Sequence, residues 1–316
     1  VTRMLVLGGT GWLGRGIAEA AVRRGLEVVC LARGASGAVP EGARLVRADR
    51  TEPGAYDALD GDWDAVVELA TAPPLVAGAL DALAERAAHW TLVSSVSVYE
   101  RNDEPGADET ARLVTPTDPD DYGHTKVLAE QASSARLADR LLTVRPGLLA
   151  GPGDPSDRFG YWPARLARGG RVLAPESAGR RVQVVDVTDL AEWIVASAVR
   201  GRTGVANAVG PSTPFAEFLA AVRHATGFAG ELVEAPDDQL LEHGVRYWAG
   251  PRSLPLWLPS SDAAFAQRAG AADLAPRPLA ETIERVLQDE LARGVDRPRR
   301  SGLALEEEAE LLAGLG

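Results

Sequence analysis

The chain has 316 residues, enough for one large domain or two closely joined ones, and its 46% hydrophobic and 25% charged residues exclude a disordered or fibrous protein. A formal net charge of -12 repels a phosphate backbone, which argues against nucleic acid as a partner. No apolar run reaches membrane-spanning length and the N-terminus lacks a signal-peptide pattern, so membrane and export are also set aside and a cytoplasmic location is expected.

The first β-rich run, RMLVLG at 3–8, leads directly into glycines. Gly8, Gly9, Gly11 and Gly14 lie between this strand and the apolar helix that follows, an arrangement that lets the backbone approach a pyrophosphate lying on free helix N–H groups. The next run, EVVCLA at 27–32, holds the single cysteine, Cys30, read as a small buried hydrophobe. It ends at Arg33, where a dinucleotide fold that prefers NAD often carries an acid for the ribose hydroxyls. A guanidinium there suits a 2'-phosphate, so NADP(H) is the preferred cofactor and NAD(H) a possible one, with Arg15 a weaker second phosphate ligand. After the third run, ARLVRA at 43–48, Asp49 either accepts a bond from the adenine amino group or caps the next turn.

The runs at 64–70 (DAVVELA), 90–95 (WTLVSS) and 141–146 (LLTVRP) continue the alternation with helix-length segments. The fold class is therefore α/β: a Rossmann-type doubly wound parallel sheet with a smaller C-terminal substrate-binding domain. The fifth run leads into Ser94, Ser95 and Ser97 at the carboxyl end of the sheet, where a hydroxyl can hold a substrate oxygen. Then comes YGHTK, which contains the only lysine of the chain. A helix starting after Pro119, Asp120 and Asp121 puts Tyr122 and Lys126 on one face, where an ammonium one turn away favours phenolate and can also reach ribose hydroxyls. His124, between them, is structural.

Beyond Pro146 the segment 147–170 is dense in glycine, proline and aromatics, the look of a binding excursion rather than scaffold. A strand at 181–187, a helix at 188–200 and a strand at 204–210 resume the regular pattern, with Asp186 and Asp189 orienting loops and capping the helix. Helices follow at 214–226 and 278–294, then a linker at 295–302 and a short acidic helix over 303–316. The division is thus 1–150 for the NAD(P)-binding domain, with 181–210 returning to it, and 151–180 with 211–316 for the substrate-binding region and C-terminal helices.

The stretches LGGTGWLG, LVSSVSVY, YGHTK, VRPGLLAGPGD and VVDVTDLA resemble, in order and spacing, the extended short-chain dehydrogenase/reductase superfamily, in its NAD-dependent epimerase/dehydratase branch. The resemblance implies Tyr122 as catalytic acid/base, Lys126 as its pKa-lowering and ribose-binding partner, and Ser95 as the catalytic hydroxyl with Ser97 in reserve. It also implies cofactor contacts by Thr10, Trp12 and Leu13 in the loop, by Leu69 and Ala70 after the fourth strand, and by Tyr122, Lys126 and Pro146. A homodimer is expected on the same ground. Leu7 stands where the family commonly has threonine, and no acid ends the second strand.

Between Gly151 and Val185 six arginines (Arg158, Arg165, Arg168, Arg171, Arg180 and Arg181) face three acids (Asp154, Asp157 and Glu176), a balance of +3 that suits an anionic group such as a diphosphate. Substrate contacts are assigned to Ser97, Phe159, Tyr161, Trp162, Arg180 and Arg181, and Tyr247, Trp248 and Trp257 either join an aromatic pocket or pack the small domain. The four histidines, His89, His124, His224 and His243, lack metal-ligand spacing, so no metal is expected. The leading expectation is an NADP(H)-dependent oxidoreductase acting on a carbonyl or secondary alcohol of a small metabolite. An NDP-sugar epimerase or dehydratase with bound NAD is the alternative, and a non-catalytic dinucleotide sensor a further one. The arginine-rich, lysine-poor composition points to a GC-rich bacterial genome.

Overall fold

The apolar runs of the first half become strands covered on both faces, in a computed structural model that describes residues 2–314. In chain order they and their helices are β1 (Arg3–Leu7), α1 (Trp12–Arg23), β2 (Glu27–Ala32), β3 (Ala43–Arg47), β4 (Trp63–Glu68), α2 (Pro73–Leu83), β5 (Ala87–Val93), α3 (Tyr122–Leu137) and β6 (Leu141–Pro146). Next come β7 (Leu148–Ala150), α4 (Arg158–Ala167), β8 (Arg171–Pro175), β9 (Arg181–Asp186), α5 (Val187–Val199) and β10 (Gly204–Ala208). The chain continues through β11 (Ser212–Pro214), α6 (Phe215–Thr226), β12 (Glu231–Ala235), α7 (Asp237–Glu242), β13 (Arg246–Trp248), β14 (Ser253–Pro255), α8 (Leu279–Arg293) and α9 (Leu305–Gly314).

Seven strands form one parallel sheet in the order β10-β6-β5-β4-β1-β2-β3. Within β1, Met4 and Val6 pack towards Ile17 of α1 and Leu190 and Ile194 of α5, while Leu5 and Leu7 pack towards Val76 and Leu80 of α2 and Ala129 of α3. Both sets of alternating side chains are buried, which is why the strand reads as an unbroken apolar run. The doubly wound fold expected above is thus present. Strand order reverses between β1 and β4, and a crevice opens at their carboxyl ends, the usual place for a ligand in such a sheet.

The second half differs from the reading above in three places. The excursion at 147–170 is partly scaffold, since α4 packs on α6 and α8 in a separate apolar core. Within 181–210, α5 packs on α1 and β10 pairs with β6, but β9 sits between β7 and β11 in a three-stranded sheet. The segment at 295–302 is not a loose linker: Arg297 and Arg299 bond to the buried Glu290, and Arg300 N–H donates to Asp157 at 2.9 Å. Residues 315 and 316 of the predicted last helix lie outside the described residues. No helix among the described residues is long and apolar enough to cross a membrane.

Candidate active site

The turn from β1 into α1 is built from glycines for two different reasons. Gly8 has φ +98°, a conformation that costs an L side chain, and a Cβ on Gly14 would lie 2.3 Å from the Gly8 carbonyl oxygen. Gly9 instead backs onto Cys30, whose Sγ would be 2.3 Å from an added Cβ. Cys30 is fully buried and its thiol pKa is pushed up to about 12 by that burial, so it packs as a hydrophobe. No side chain caps the N-terminus of α1, which leaves its first amides free to meet an anion.

These amides open into a cleft of about 420 Å³ lined by Gly8, Thr10, Gly11, Trp12, Leu13 and Gly14, together with Arg33, Asp49, Leu69 and Ala70. Most of the predicted cofactor set is here; Gly9 faces Cys30 instead, and Tyr122, Lys126 and Pro146 line the adjoining cavity. The Arg33 side chain is 70% exposed at the rim, 3.8 Å from Asp49, so a ligand phosphate can reach it. Asp49 Oδ1 accepts from Thr51 N–H at 3.0 Å and Thr51 Oγ1 at 2.7 Å, bonds that hold its carboxyl below the usual range. It therefore caps the following turn. A buried pair that the sequence reading missed, Glu68 and Arg50, underlies this floor; Glu68 Oε1 also accepts from Ala70 N–H at 2.7 Å.

An adjoining cavity of about 510 Å³ shares Trp12, Leu13 and Leu69 with the cleft and holds Ser95, Ser97, Tyr122, Lys126 and Pro146. Asp121 caps α3 by accepting from His124 N–H at 3.0 Å, and His124 Nδ1 accepts from the Thr117 and Asp118 amides, the structural role expected of it. At Gly123 an added Cβ would stand 2.4 Å from the Ser97 carbonyl oxygen. Glycine thus lets α3 seat against the serine turn and brings Tyr122 to Ser95. Ser95 Oγ donates to Ser97 Oγ and accepts from Ser97 N–H, each at 3.1 Å.

Tyr122 is 50% exposed, yet the walls around its hydroxyl desolvate it and push the phenol pKa up; a hydrogen bond with Ser95 and the charge of Arg158 pull it back. Lys126 Nζ donates to the carbonyls of Val93 at 2.8 Å and Ala70 at 3.3 Å and lies 5.9 Å from the Tyr122 ring centroid. Burial lowers its pKa to about 8. The charge of Arg158, a residue that sequence reasoning counted only as one of six arginines, also bears on the phenol.

Arg158 lines the cavity with Asp154, Ser156, Trp248 and Phe265. Of the assigned substrate residues, Ser97 lines this cavity and the rest lie elsewhere. Phe159, Tyr161 and Trp162 are buried in the core formed with Phe215 and Phe218, where the rings pack at 5.2–5.8 Å between centroids. Arg180 is paired with Asp237, and Arg181 donates to Ser212 Oγ at 2.8 Å. Arg165, Arg168 and Arg171 are paired with Glu308, Asp296 and Glu231. Four of the six arginines are thus paired with acids elsewhere in the chain and Arg181 with Ser212, and only Arg158 reaches the cavity. Among the described residues no cluster of His, Cys, Asp or Glu could hold a metal.

Comparison with known proteins identifies the family and the fold. A family model described as the NAD dependent epimerase/dehydratase family matches residues 4–81 and 75–209. The chain is 30% identical over 255 residues to a 2'-dehydrokanamycin reductase from Streptomyces kanamyceticus, spanning 76% of this chain and 71% of that protein. It superposes on UDP-N-acetylglucosamine 4-epimerase from Bacillus cereus with a TM-score of 0.67 at 18% identity, covering 93% of this chain and 100% of the other. On the UDP-glucose 4-epimerase of Thermus thermophilus in complex with NAD the TM-score is 0.66 at 21% identity, with 91% and 98% covered. At these identities the structural likeness establishes the fold.

Proposed function

Because the chain belongs to the NAD dependent epimerase/dehydratase family, we propose that it is an NADP(H)-dependent reductase that converts a carbonyl of a small metabolite to a secondary alcohol at Ser95, Tyr122 and Lys126. The observation that carries this reading is the meeting of the Tyr122 phenol and the Ser95 hydroxyl in a cavity continuous with the glycine-loop cleft. When bound, the nicotinamide supplies hydride to the carbonyl carbon. As the oxygen gains charge, the Tyr122 phenol gives it a proton and the Ser95 hydroxyl donates a hydrogen bond to it. At neutral pH the buried phenol is protonated, the state that the acid of a reduction needs. Lys126, whose Nζ bonds two carbonyls beside the shared wall, would bind ribose hydroxyls with its remaining donor and resupply the proton.

The reductase name of the Streptomyces relative supports the same direction. For the cofactor, the exposed guanidinium of Arg33 at the rim, only loosely paired with Asp49, favours a 2'-phosphate. An epimerase acting on a nucleoside diphosphate sugar is supported by the names of the structural neighbours. It is disfavoured by the engagement of five of the six arginines elsewhere.

Release of any copurified nucleotide, followed by fluorescence titration with NADPH and NADH, tests the proposal. The expected result is an empty protein that binds NADPH at least about tenfold more tightly, a gap of about 1.4 kcal/mol that Arg33→Ala removes. Tyr122→Phe should bind NADPH normally and lose about 10²- to 10⁴-fold in turnover on a carbonyl panel. Protein that arrives loaded with NAD and turns over a nucleotide sugar without added cofactor would establish the epimerase instead.

A further inference from the structure

The charged groups lining the catalytic cavity are Lys126, Asp154 and Arg158. Two of them are occupied within the protein. Lys126 Nζ is held by two carbonyls, and both Asp154 oxygens accept from Ser156, at 2.8 Å from N–H and 2.9 Å from Oγ. Arg158 differs: its side chain makes one hydrogen bond, from Nε to Ser156 Oγ at 3.1 Å, and no salt bridge among the described residues. Its terminal nitrogens have no acceptor among those residues.

This guanidinium is also fixed in orientation. The chain Asp154, Ser156, Arg158 Nε holds one edge, and the plane lies over the ring of Trp248, with Cζ 5.2 Å from the ring centroid. Trp248 has φ +70°, a strained conformation for a bulky residue, and packs edge-on against Phe265 at 5.4 Å. Strain of this kind persists where surrounding structure enforces it, and here it places an aromatic wall beside a directed cation in the cavity that holds Tyr122.

We propose that Arg158 determines substrate specificity, and that the substrate is a carbonyl acid, a small molecule bearing a carboxylate near the carbonyl that is reduced. The proposal rests on the reductase reading above. Two parallel N–H donors on one planar fork match a carboxylate in bidentate fashion. Lys126 and Arg158 set against the buried Asp154 leave the cavity a net charge of +1, which balances a monoanion, whereas a diphosphate would call for further cations that the cavity does not have. The carboxylate would also cancel the charge that now pulls down the Tyr122 phenol, so the bound substrate would itself keep the acid protonated.

The test compares benzoylformate with its methyl ester as probes, with NADPH saturating, in wild type, Arg158→Gln and Arg158→Lys. Wild type should favour the acid at least tenfold in kcat/KM. Arg158→Gln should lose about 100-fold on the acid, mainly through KM, and shrink the acid-to-ester ratio at least tenfold. Arg158→Lys, which keeps charge and stem if the Gln variant fails to fold, should recover part of that ratio. An acid-to-ester ratio that is the same in wild type and Arg158→Gln would overturn the assignment while leaving the reductase reading intact. If wild type reduces neither probe, the reductase reading suffers and calorimetry decides on Arg158. Mandelate binding in the presence of NADP that weakens about 100-fold in Arg158→Gln supports the carboxylate site. Absent or unchanged binding, or preference for inorganic phosphate, rules it out.

Discussion

Lys126 is the single lysine of the chain and only 2% of its surface is exposed. Arginine cannot shed its proton at accessible pH, so a buried basic site that must titrate needs an amine. Burial outweighs the attraction of Glu68 and Glu130 and brings the pKa from 10.5 down to about 8. Below about pH 8 the folded and unfolded chains both hold this proton, and the fold bears the full cost of the buried charge. Between about 8 and 10.5 the unfolded chain holds more of the proton, so stability rises with pH until both forms are neutral. At about 1.36 kcal/mol per pH unit the relief is roughly 3 kcal/mol. Urea unfolding of the cofactor-free protein near pH 7 and near pH 10 should show most of this gain relative to Lys126→Met. Parallel pH dependence in the two proteins would mean that Lys126 is not a buried charge.

At the scale of elements, the position of α3 decides whether the tyrosine meets the serine. Gly123→Ala gains up to about 1 kcal/mol of helix propensity. It also drives a Cβ to 2.4 Å from the Ser97 carbonyl oxygen, and overpacking of this kind costs about 1–3 kcal/mol. The overlap wins because the oxygen belongs to backbone and cannot rotate aside. The variant should be about 1–2 kcal/mol less stable and at least tenfold slower, with NADPH affinity retained, since the glycine loop lies in another element. A full wild-type rate at unchanged stability would show that α3 does not need this close approach.

The same contrast between local and distant determinants explains what the sequence makes legible. Strands β1, β2 and β6 announce themselves because burial on both faces leaves unbroken apolar runs, and the glycine loop because Gly8 and Gly14 answer steric demands within a few residues. β7, β11, β13 and β14 span three residues each, too few for any period, and β7 and β11 both depend on β9 for pairing. Phe159, Trp162 and Leu166 fall on the buried side of α4, yet aromatics there read equally well as a cavity wall. Arg158, on the same helix, differs from Arg165 only in lacking an acid, and that depends on where residue 308 arrives. Glu68 was the detectable omission: an acid in an otherwise apolar strand demands a buried partner, which Arg50 supplies.

For the molecule as a whole, the proposed catalytic cavity lies where the seven-stranded sheet meets the C-terminal layer, and a set of polar contacts holds the two in register. Trp12 in the glycine loop donates from Nε1 to the Pro152 carbonyl at 2.8 Å, and Asp186 beside α5 accepts from Arg285 of α8 at 2.7 Å. The segment 151–158, which supplies Asp154 and Arg158, is held from behind by Asp157 and Glu290 through Arg297 and Arg299. Glu290 is 1% exposed, and Gly160 of α4 makes room for it, since a Cβ there would lie 2.2 Å from Oε1. Glu290→Gln keeps the shape but leaves the half-buried Arg297 and Arg299 with Asp157 as their one carboxylate, a loss of roughly 2 kcal/mol. Loosening this anchor should shift Arg158 and raise the substrate KM, while NADPH still binds to the intact sheet and its glycine loop. Urea unfolding combined with nucleotide titration and steady-state kinetics separates these effects. Weakened NADPH binding in step with the KM would show instead that the two layers fold and bind as one unit.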